Sequence, residues 1–228
     1  MEPAVRSSGD RYRGARRRMV QRLREEGIRD PRVLAALERV PRHEFVPEAL
    51  REQAYEDEAL PIGQGQTISA PSIVALMTAA LALEGHETVL EVGTGSAYQA
   101  AVLAQLAERV ISVERLPGLA DRARSALDRL GIHNVVVHLG DGTRGWPADA
   151  PYEAILVTAG GPDVPLPLLE QLAPGGRLVG PFGGRGVQEL LRIVRRTDDE
   201  SPGKARFERQ ILGQCRFVDL VGAHGWAA

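Results

Sequence analysis

A short apolar run that ends in a glycine-containing turn, residues 89–99, constrains the fold of this chain more than any other segment. Val89, Leu90 and Val92, which precede the turn, are apolar enough to be buried on both faces, as the strands of parallel sheets are. Gly93 and Gly95 permit backbone angles and a close approach of a ligand that a Cβ would hinder. The next residues predict a helix over about 97–107 whose free N–H groups point at the turn. The segment therefore predicts a strand, a ligand-binding turn and a helix.

An acidic residue follows at the distance where a nucleotide site places its ribose-binding carboxylate. Glu114 ends the next apolar run, residues 110–113, roughly twenty residues after the turn. A dinucleotide site also requires Gly or Ala three residues after Gly95, and Tyr98 occupies that position, so a nicotinamide cofactor is disfavoured. The chain contains neither a P-loop motif nor a Gly-x-Ser-x-Gly nucleophile motif. These features favour an adenosine-containing ligand, although a plain strand-to-helix turn would also account for the glycines.

The composition is that of one folded unit without a strong electrostatic field. Of 228 residues, 43% are hydrophobic, and 28 Lys and Arg face 30 Asp and Glu, so no global charge favours nucleic acid or an anionic membrane surface. The single cysteine is Cys215, no apolar stretch approaches the roughly 18 residues of a membrane-spanning helix, and the N-terminus does not resemble a signal peptide. We expect a soluble, cytoplasmic protein. The five histidines lack metal-ligand spacing, and no metal is expected.

The N-terminal part of the chain predicts two helices. Apolar residues at helical spacing predict the first helix from about residue 10 to residue 26. Asp30 followed by Pro31 is typical of the N-cap and first turn of a second helix, which Pro41 ends. Residues 42–60 are predicted to be irregular because proline and polar residues interrupt any period.

We therefore expect two parts, an N-terminal helical extension over residues 1–60 and a core over residues 61–228. Ten arginines and five acidic residues fall in residues 1–32. A solvated helix face is favoured as their explanation over an RNA-binding patch.

Residues 61–71 are rich in Gly, Pro and small polar residues, which predicts a shaped loop without regular structure. Pro71 is positioned to start a helix, so Thr67 and Ser69 fall at or near a helix N-terminus, where anions are attracted. Capping of that helix by Thr67 or Ser69 is the favoured local explanation. Capping and anion binding are compatible with each other.

The remaining apolar runs predict further strands of one sheet. Residues 134–139 end in an Asp141 that lies between two glycines, and residues 153–158 end in another turn of small residues. In a doubly wound sheet these strand ends meet at one crevice, so Asp141 is expected beside the same ligand as Gly93 and Glu114. An ordinary turn is the alternative explanation for Asp141.

The C-terminal third predicts a different strand arrangement. Residues 187–194 and 207–217 predict antiparallel strands joined by a polar turn over residues 197–204. The whole pattern is that of an α/β protein with a doubly wound, mostly parallel sheet and antiparallel C-terminal strands.

Four motifs in order resemble the protein-L-isoaspartate O-methyltransferase family in its bacterial form: residues 61–71, 90–99, 140–146 and 151–165. The resemblance covers nearly the whole chain. It implies a Rossmann-like, S-adenosylmethionine-dependent methyltransferase fold with S-adenosyl-L-methionine as methyl donor. The implied acceptor is the free α-carboxylate of L-isoaspartyl residues in damaged proteins and peptides. The methyl ester would collapse to a succinimide, which begins repair.

The resemblance also assigns roles to individual residues. Ser69 is implied to be catalytic, and Ser69 and Val218 to contact the peptide. Glu91 is implied near the amino group of the cofactor, Glu114 on the ribose hydroxyls, and Asp141 beside the adenine. The full set implied to bind the cofactor is Thr67, Ile68, Glu91, Gly93, Thr94, Gly95, Ser96, Glu114, Asp141 and Gly142.

Three residues depart from those usual in the family: Gln64, Ala97 and Asp219. Asp219 adds a charge beside the presumed peptide strand. No strong base is required for the implied reaction, since a carboxylate with an ordinary pKa near 3.9 is already ionised at pH 7. Ser69 is expected to orient this anion, with help from the N–H groups of the helix that begins near Pro71.

Three other functions are compatible with parts of this pattern. A related methyltransferase could use the same scaffold for a different carboxylate or a small molecule, because a fold does not fix its acceptor. A non-catalytic module could bind the cofactor, or RNA through the arginine-rich N-terminus. Nicotinamide-dependent oxidoreduction is opposed by Tyr98.

Overall fold

The structure of the protein, a computed structural model, describes residues 11–197 and 206–227. Its helices are α1 (Arg13–Glu25), α2 (Pro31–Arg39), α3 (Pro71–Leu81), α4 (Tyr98–Leu103), α5 (Pro117–Arg129) and α6 (Leu166–Glu170). Its strands are β1 (Leu60–Gly63), β2 (Gln66–Ile68), β3 (Thr88–Val92), β4 (Arg109–Glu114), β5 (Val135–Leu139), β6 (Tyr152–Val157), β7 (Leu172–Phe182), β8 (Gln188–Arg195) and β9 (Phe207–Cys215).

Seven strands form the central sheet in the order β5-β4-β3-β6-β7-β8-β9. Strands β3 to β7 are parallel, whereas β8 and β9 pair antiparallel. The predicted doubly wound, mostly parallel sheet with antiparallel C-terminal strands is therefore confirmed. The chain runs outward from β3 to β5 and then returns to place β6 on the other side of β3, so the direction of winding reverses between β3 and β6. Ligands bind at the carboxyl ends of strands at such a switch point.

The N-terminal helices pack onto the core of the sheet domain. Met19, Leu23 and Leu37 are completely buried and belong to one apolar cluster with Tyr98 and Ala101. Burial of a large apolar side chain contributes about 1.5 to 3 kcal/mol, so these contacts fix the extension beside α4.

The predicted second helix is confirmed together with its cap. The Asp30 carboxylate accepts from the backbone N–H groups of Arg32 and Val33, and the helix begins at Pro31. The first helix begins at Arg13, and the predicted starting residue, Asp10, lies outside the described residues.

The passage that was predicted to be irregular contains two short 3₁₀ helices, Arg42–Phe45 and Glu48–Gln53.

The prediction that residues 61–71 lack regular structure is wrong for most of that segment. β1 and β2 form an antiparallel hairpin through a two-residue turn at Gln64 and Gly65, which have φ values of 54° and 70°. Positive φ at both central residues gives a turn whose twist matches that of the flanking strands, and this permits a short hairpin. A glutamine at the first central position gave no sequence signal for such a turn.

One other predicted segment differs in extent, and one cannot be compared over most of its length. α4 is shorter than predicted, because Ala97 adopts a left-handed conformation at φ 70° and the chain leaves the helix after Leu103. The polar turn predicted over residues 197–204 lies outside the described residues from 198 onward, and the two strands beside it are confirmed.

Candidate active site

A cleft opens at the carboxyl ends of β3, β4 and β6, where the winding of the sheet reverses. Its free space, counted together with the solvent at its open mouth, is about 790 Å³. All predicted site residues except Glu91 and Asp141 line it. Those lining residues are Thr67, Ile68, Ser69, Gly93, Thr94, Gly95, Ser96, Glu114, Gly142 and Val218. The cleft thus joins the turn after β3 to the segment after β2.

The turn after β3 requires glycine at position 93 because of its backbone conformation and its contacts within the protein. Gly93 has φ 98°, and a Cβ there would lie 2.4 Å from the Thr158 hydroxyl oxygen. Thr158 donates this hydroxyl to the carbonyl oxygens of Val92 and Gly93. The Ser96 hydroxyl accepts from the Tyr98 N–H at 3.2 Å and so supports the start of α4. These contacts hold the turn in one shape.

Glu114 lies at the end of β4 with 5% of its surface exposed. Its Oε2 accepts from the Gly95 N–H at 2.8 Å and its Oε1 from the Leu116 N–H at 3.0 Å. An ionised carboxylate has about four acceptor positions, so about two remain for hydroxyl donors in the cleft. This arrangement suits a pair of ribose hydroxyls.

Glu91 is completely buried behind the cleft and does not line it. The Ser112 hydroxyl donates to its Oε2 and lies 2.5 Å from the Thr94 hydroxyl, which does line the cleft. Its Oε1 has no hydrogen-bond partner among the described residues. Burial, helped by the negative charge of Glu114 and opposed by the Ser112 hydrogen bond, raises the pKa of Glu91 to about 8. Glu91 is therefore mostly neutral at pH 7 and reaches the cleft only through two hydroxyl groups.

Asp141 also lies off the cleft, although its neighbour Gly142 lines it. Its Oδ1 accepts from the N–H and hydroxyl of Thr143, at 3.0 and 2.6 Å, and its Oδ2 accepts from the Ala223 N–H at 2.8 Å. Burial pushes the pKa of Asp141 upward, but these hydrogen bonds and the charge of Arg144 outweigh it, and the pKa lies below its ordinary value. The contacts fit a turn that also tethers the C-terminal segment, and a role beside adenine remains a prediction.

Ser69 lies between β2 and α3 and does not cap the helix. The N-cap residue is Ala70, without a side-chain cap, and the Asp57 carboxylate instead accepts from the Ser72 N–H at 2.8 Å. The prediction that Thr67 or Ser69 caps α3 is therefore wrong, because a carboxylate from the preceding segment occupies that place. The Ser69 hydroxyl has no hydrogen-bond partner among residues 11–197 and 206–227. It is available to a ligand in the cleft.

The opposite wall of the cleft is an extended segment, residues 218–221. The Val218 carbonyl accepts from the Gly160 N–H at 2.7 Å, and the Leu220 N–H donates to the Gly160 carbonyl at 2.8 Å. Because backbone groups alternate sides along an extended chain, those of Asp219 face away from Gly160. The predicted contact residue, Val218, thus has its carbonyl already paired.

Comparison with known proteins identifies the family. The sequence profile of protein-L-isoaspartate(D-aspartate) O-methyltransferase matches residues 14–225. The chain belongs to this family. A protein-L-isoaspartate O-methyltransferase of Syntrophus aciditrophicus is 54% identical over 219 residues, which cover 96% of this chain and 99% of the relative. The family predicted from the sequence is confirmed.

Solved structures agree with the methyltransferase fold. A protein-L-isoaspartate O-methyltransferase superposes with a TM-score of 0.79 at 30% identity, covering 92% of this chain and 67% of the other. A β-aspartate methyltransferase from Plasmodium falciparum, solved in complex with S-adenosyl-L-homocysteine, gives a TM-score of 0.75 at 23% identity and covers 90% of this chain and 98% of its own. The second likeness bears on the fold alone.

Two residues of this methyltransferase site were not predicted from the sequence. Thr158 follows β6 and fixes the turn after β3, and its position at the end of a predicted strand was a usable signal. Arg42 is completely buried, with its guanidinium 4.9 Å from the ring centre of Tyr98, which lines the cleft. An arginine between Pro41 and His43 gives no sequence signal of burial.

Among the described residues, no cluster of three or more His, Cys, Asp or Glu side chains has a geometry for a metal ion. The helices in the same part of the chain are too short or too polar to cross a bilayer.

Proposed function

We propose that this protein transfers a methyl group from S-adenosyl-L-methionine to the free carboxylate of L-isoaspartyl residues in proteins and peptides, which initiates their repair. The observation that carries the proposal is the single cleft that joins residues 67–69 to the turn at residues 93–96. Family membership over nearly the whole chain supports the same reaction.

The residues of the cleft fit S-adenosyl-L-methionine, which supplies an electrophilic methyl group on a sulfonium. Glu114 retains acceptor positions for ribose hydroxyls. Thr94 presents a hydroxyl that Ser112 orients from behind. The turn at Gly93 and Gly95 supplies backbone beside the methionine part of the cofactor. Thr67, Ile68, Ser96, Asp141 and Gly142 complete the proposed set, with Glu91 acting through Ser112.

The acceptor side requires orientation rather than proton removal, since the acceptor carboxylate is ionised at neutral pH. The Ser69 hydroxyl, for which the described residues provide no hydrogen-bond partner, can donate to it. The first turn of α3 offers few free N–H groups to the acceptor carboxylate, because Pro71 has no N–H and the Ser72 N–H already donates to Asp57. Ser69 therefore carries most of the orientation, and Val218 and its neighbours form the wall along which the peptide lies.

The experiment compares matched isoaspartyl and aspartyl peptides with labelled methyl donor. Wild-type protein is expected to label only the isoaspartyl peptide. Ser69→Ala is expected to lower kcat about 10- to 100-fold, the value of one hydrogen bond to a charged group, and to leave the Kd of S-adenosyl-L-homocysteine unchanged. Ser125→Ala removes an exposed hydroxyl on α5 and is the matched control.

Equal labelling of both peptides by the wild-type protein would overturn the proposal in favour of a methyltransferase with a different acceptor. Full activity of Ser69→Ala would remove the proposed role of Ser69 alone.

We further propose that residues 1–60 form a helical extension of a methyltransferase core at residues 61–228. The proposed partners are isoaspartyl-containing proteins and peptides, with no nucleic acid and no metal, and the proposed location is the cytoplasm.

A further inference from the structure

The wall of the cleft at residues 218–221 carries a charged side chain. Asp219 lines the cleft with 39% of its side chain exposed, and its Oδ2 lies 3.1 Å from Nε of Arg185. The two residues are far apart in the sequence and meet only because β7 and β8 bring the loop between them to the cleft.

Arg185 is held in this position from a second side. Its guanidinium lies 4.8 Å from the ring centre of Trp226, and the Trp226 indole N–H donates to the Gly160 carbonyl at 2.9 Å. Gly160 is also the residue to which the wall of the cleft is hydrogen-bonded. Trp226, which contacts Arg185, is therefore bonded to the same residue, Gly160, that holds the segment containing Asp219.

Gln188 connects the Arg185 loop to the wall directly. It is 1% exposed, its amide donates to the Gly184 carbonyl at 3.1 Å, and its amide oxygen accepts from the Phe217 N–H at 3.0 Å. A buried amide bonded in both directions fixes the separation of the two segments it joins. Arg185, with 59% of its side chain exposed, and Asp219 thus form an ion pair on the wall along which the peptide is proposed to lie.

The charge of Asp219 has a consequence for an anionic acceptor. An unpaired carboxylate on the wall would repel a peptide that carries its own carboxylates and attract one with basic residues. Arg185 neutralises that charge from the side of the loop. The summed charge of Arg185 and Asp219, rather than the charge of either residue alone, sets the electrostatic potential along the wall.

We propose that the Arg185–Asp219 pair determines the charge preference for residues that flank the methylated isoaspartate. This inference rests on the proposed function. Intact, the pair makes the wall nearly indifferent to flanking charge. Loss of Arg185 favours basic flanks, and loss of Asp219 favours acidic flanks.

The test uses isoaspartyl peptides that differ only in Glu, Gln or Lys next to the isoaspartate, on either side in separate peptides. The proteins are wild type, Arg185→Gln, Asp219→Asn and the double variant, with Arg209→Gln on the exposed edge strand as the control. Both kcat and KM are measured, and peptide Kd is measured by calorimetry with S-adenosyl-L-homocysteine, which needs no turnover.

For Arg185→Gln, the ratio of kcat/KM for the Glu peptide to that for the Lys peptide is expected to fall about fivefold, the size that a partly exposed charge supports. The change should lie in KM and Kd and should shrink at high salt. Asp219→Asn should raise the ratio by a similar factor, and the double variant should restore it.

A ratio that is the same in all variants, or a double variant that is not restored, would overturn the inference while leaving the proposed function intact. A wild-type protein that labels none of the isoaspartyl peptides would overturn both.

Discussion

Replacing Glu91 by Gln should remove a pH dependence from the stability of this methyltransferase. Glu91 is completely buried, and burial raises the pKa of its carboxyl from the ordinary 4.5 to about 8. A carboxyl with a raised pKa binds its proton more tightly in the folded state. Its contribution to stability is therefore complete below the unfolded pKa of 4.5 and is lost as pH rises to about 8.

The size of the effect follows from the same values. One pKa unit corresponds to 1.36 kcal/mol. Between pH 5 and pH 8.5 the stability lost because of the raised pKa of Glu91 grows over about three pH units, which gives about 4 kcal/mol. Gln is uncharged at every pH and resembles the protonated acid in shape. Its amide oxygen can accept the Ser112 hydroxyl as the carboxyl does, and its amide group takes the place of Glu91 Oε1, which has no hydrogen-bond partner among the described residues.

Urea unfolding at pH 5, 6, 7, 8 and 8.5 is the measurement. At pH 5 the two proteins should agree within about 1 kcal/mol, and at pH 8.5 the variant should be more stable by about 4 kcal/mol. Glu87→Gln is the matched control. Burial raises the pKa of Glu87, but hydrogen bonds from the N–H groups of residues 84, 85 and 87 outweigh it, so its pKa lies below 4.5. Glu87→Gln should lower stability almost equally across this pH range, because the contribution of Glu87 is lost only at lower pH.

A difference between wild type and Glu91→Gln that is the same at pH 5 and pH 8.5 would refute the reasoning. It would mean that water or a partner stabilises the ionised form of Glu91 in the folded protein.

Three further predictions concern the cleft and the segments beside it. Glu114→Gln should raise the Kd of S-adenosyl-L-homocysteine about tenfold in calorimetry, because a charged acceptor is lost, and an unchanged Kd would contradict its proposed ribose contact. Asp57→Ala should lower the unfolding free energy by about 1 kcal/mol in urea, because α3 loses its cap. An unaltered midpoint would show that water replaces the carboxylate. Gln64→Asn should raise thermal stability by about 0.5 to 1 kcal/mol, because Asn tolerates φ 54° better. A lower melting temperature would mean that the side-chain contacts of Gln64 contribute more to stability than its backbone strain costs.

The order of strands and helices in the core was predictable because each element has its own sequence signal. Val89, Leu90 and Val92 are apolar and fall on both faces of the strand, as in a strand buried on both faces, and Asp30 with Pro31 marks a helix start. The hairpin at Gln64 was not predictable, since glutamine rarely adopts positive φ and the strands beside it are only three and four residues long.

The candidate site was predicted in part for a similar reason. Gly93 and Glu114 lie at the ends of strands that the sequence indicates, and parallel topology brings such ends to one edge of the sheet. Ser69 precedes the predicted helix start at Pro71, and the hairpin of β1 and β2 brings it to the same cleft. The contacts of Glu91 and Asp141 could not be predicted, because they depend on Ser112 and Ala223, residues that are distant in the sequence.

By itself, the sequence determined the α/β fold, the turn between β3 and α4, and the family, because these depend on local patterns of apolar residues, glycine and charge. The tertiary structure decided which polar groups are free and which are occupied. It pairs Asp57 with the first turn of α3, and within the described part of the chain it gives the Ser69 hydroxyl in the cleft no hydrogen-bond partner. It also places Arg185 against Asp219. Hydrogen bonds and ion pairs are short-range, so their partners are fixed only when packing brings distant segments within about 3 Å of one another.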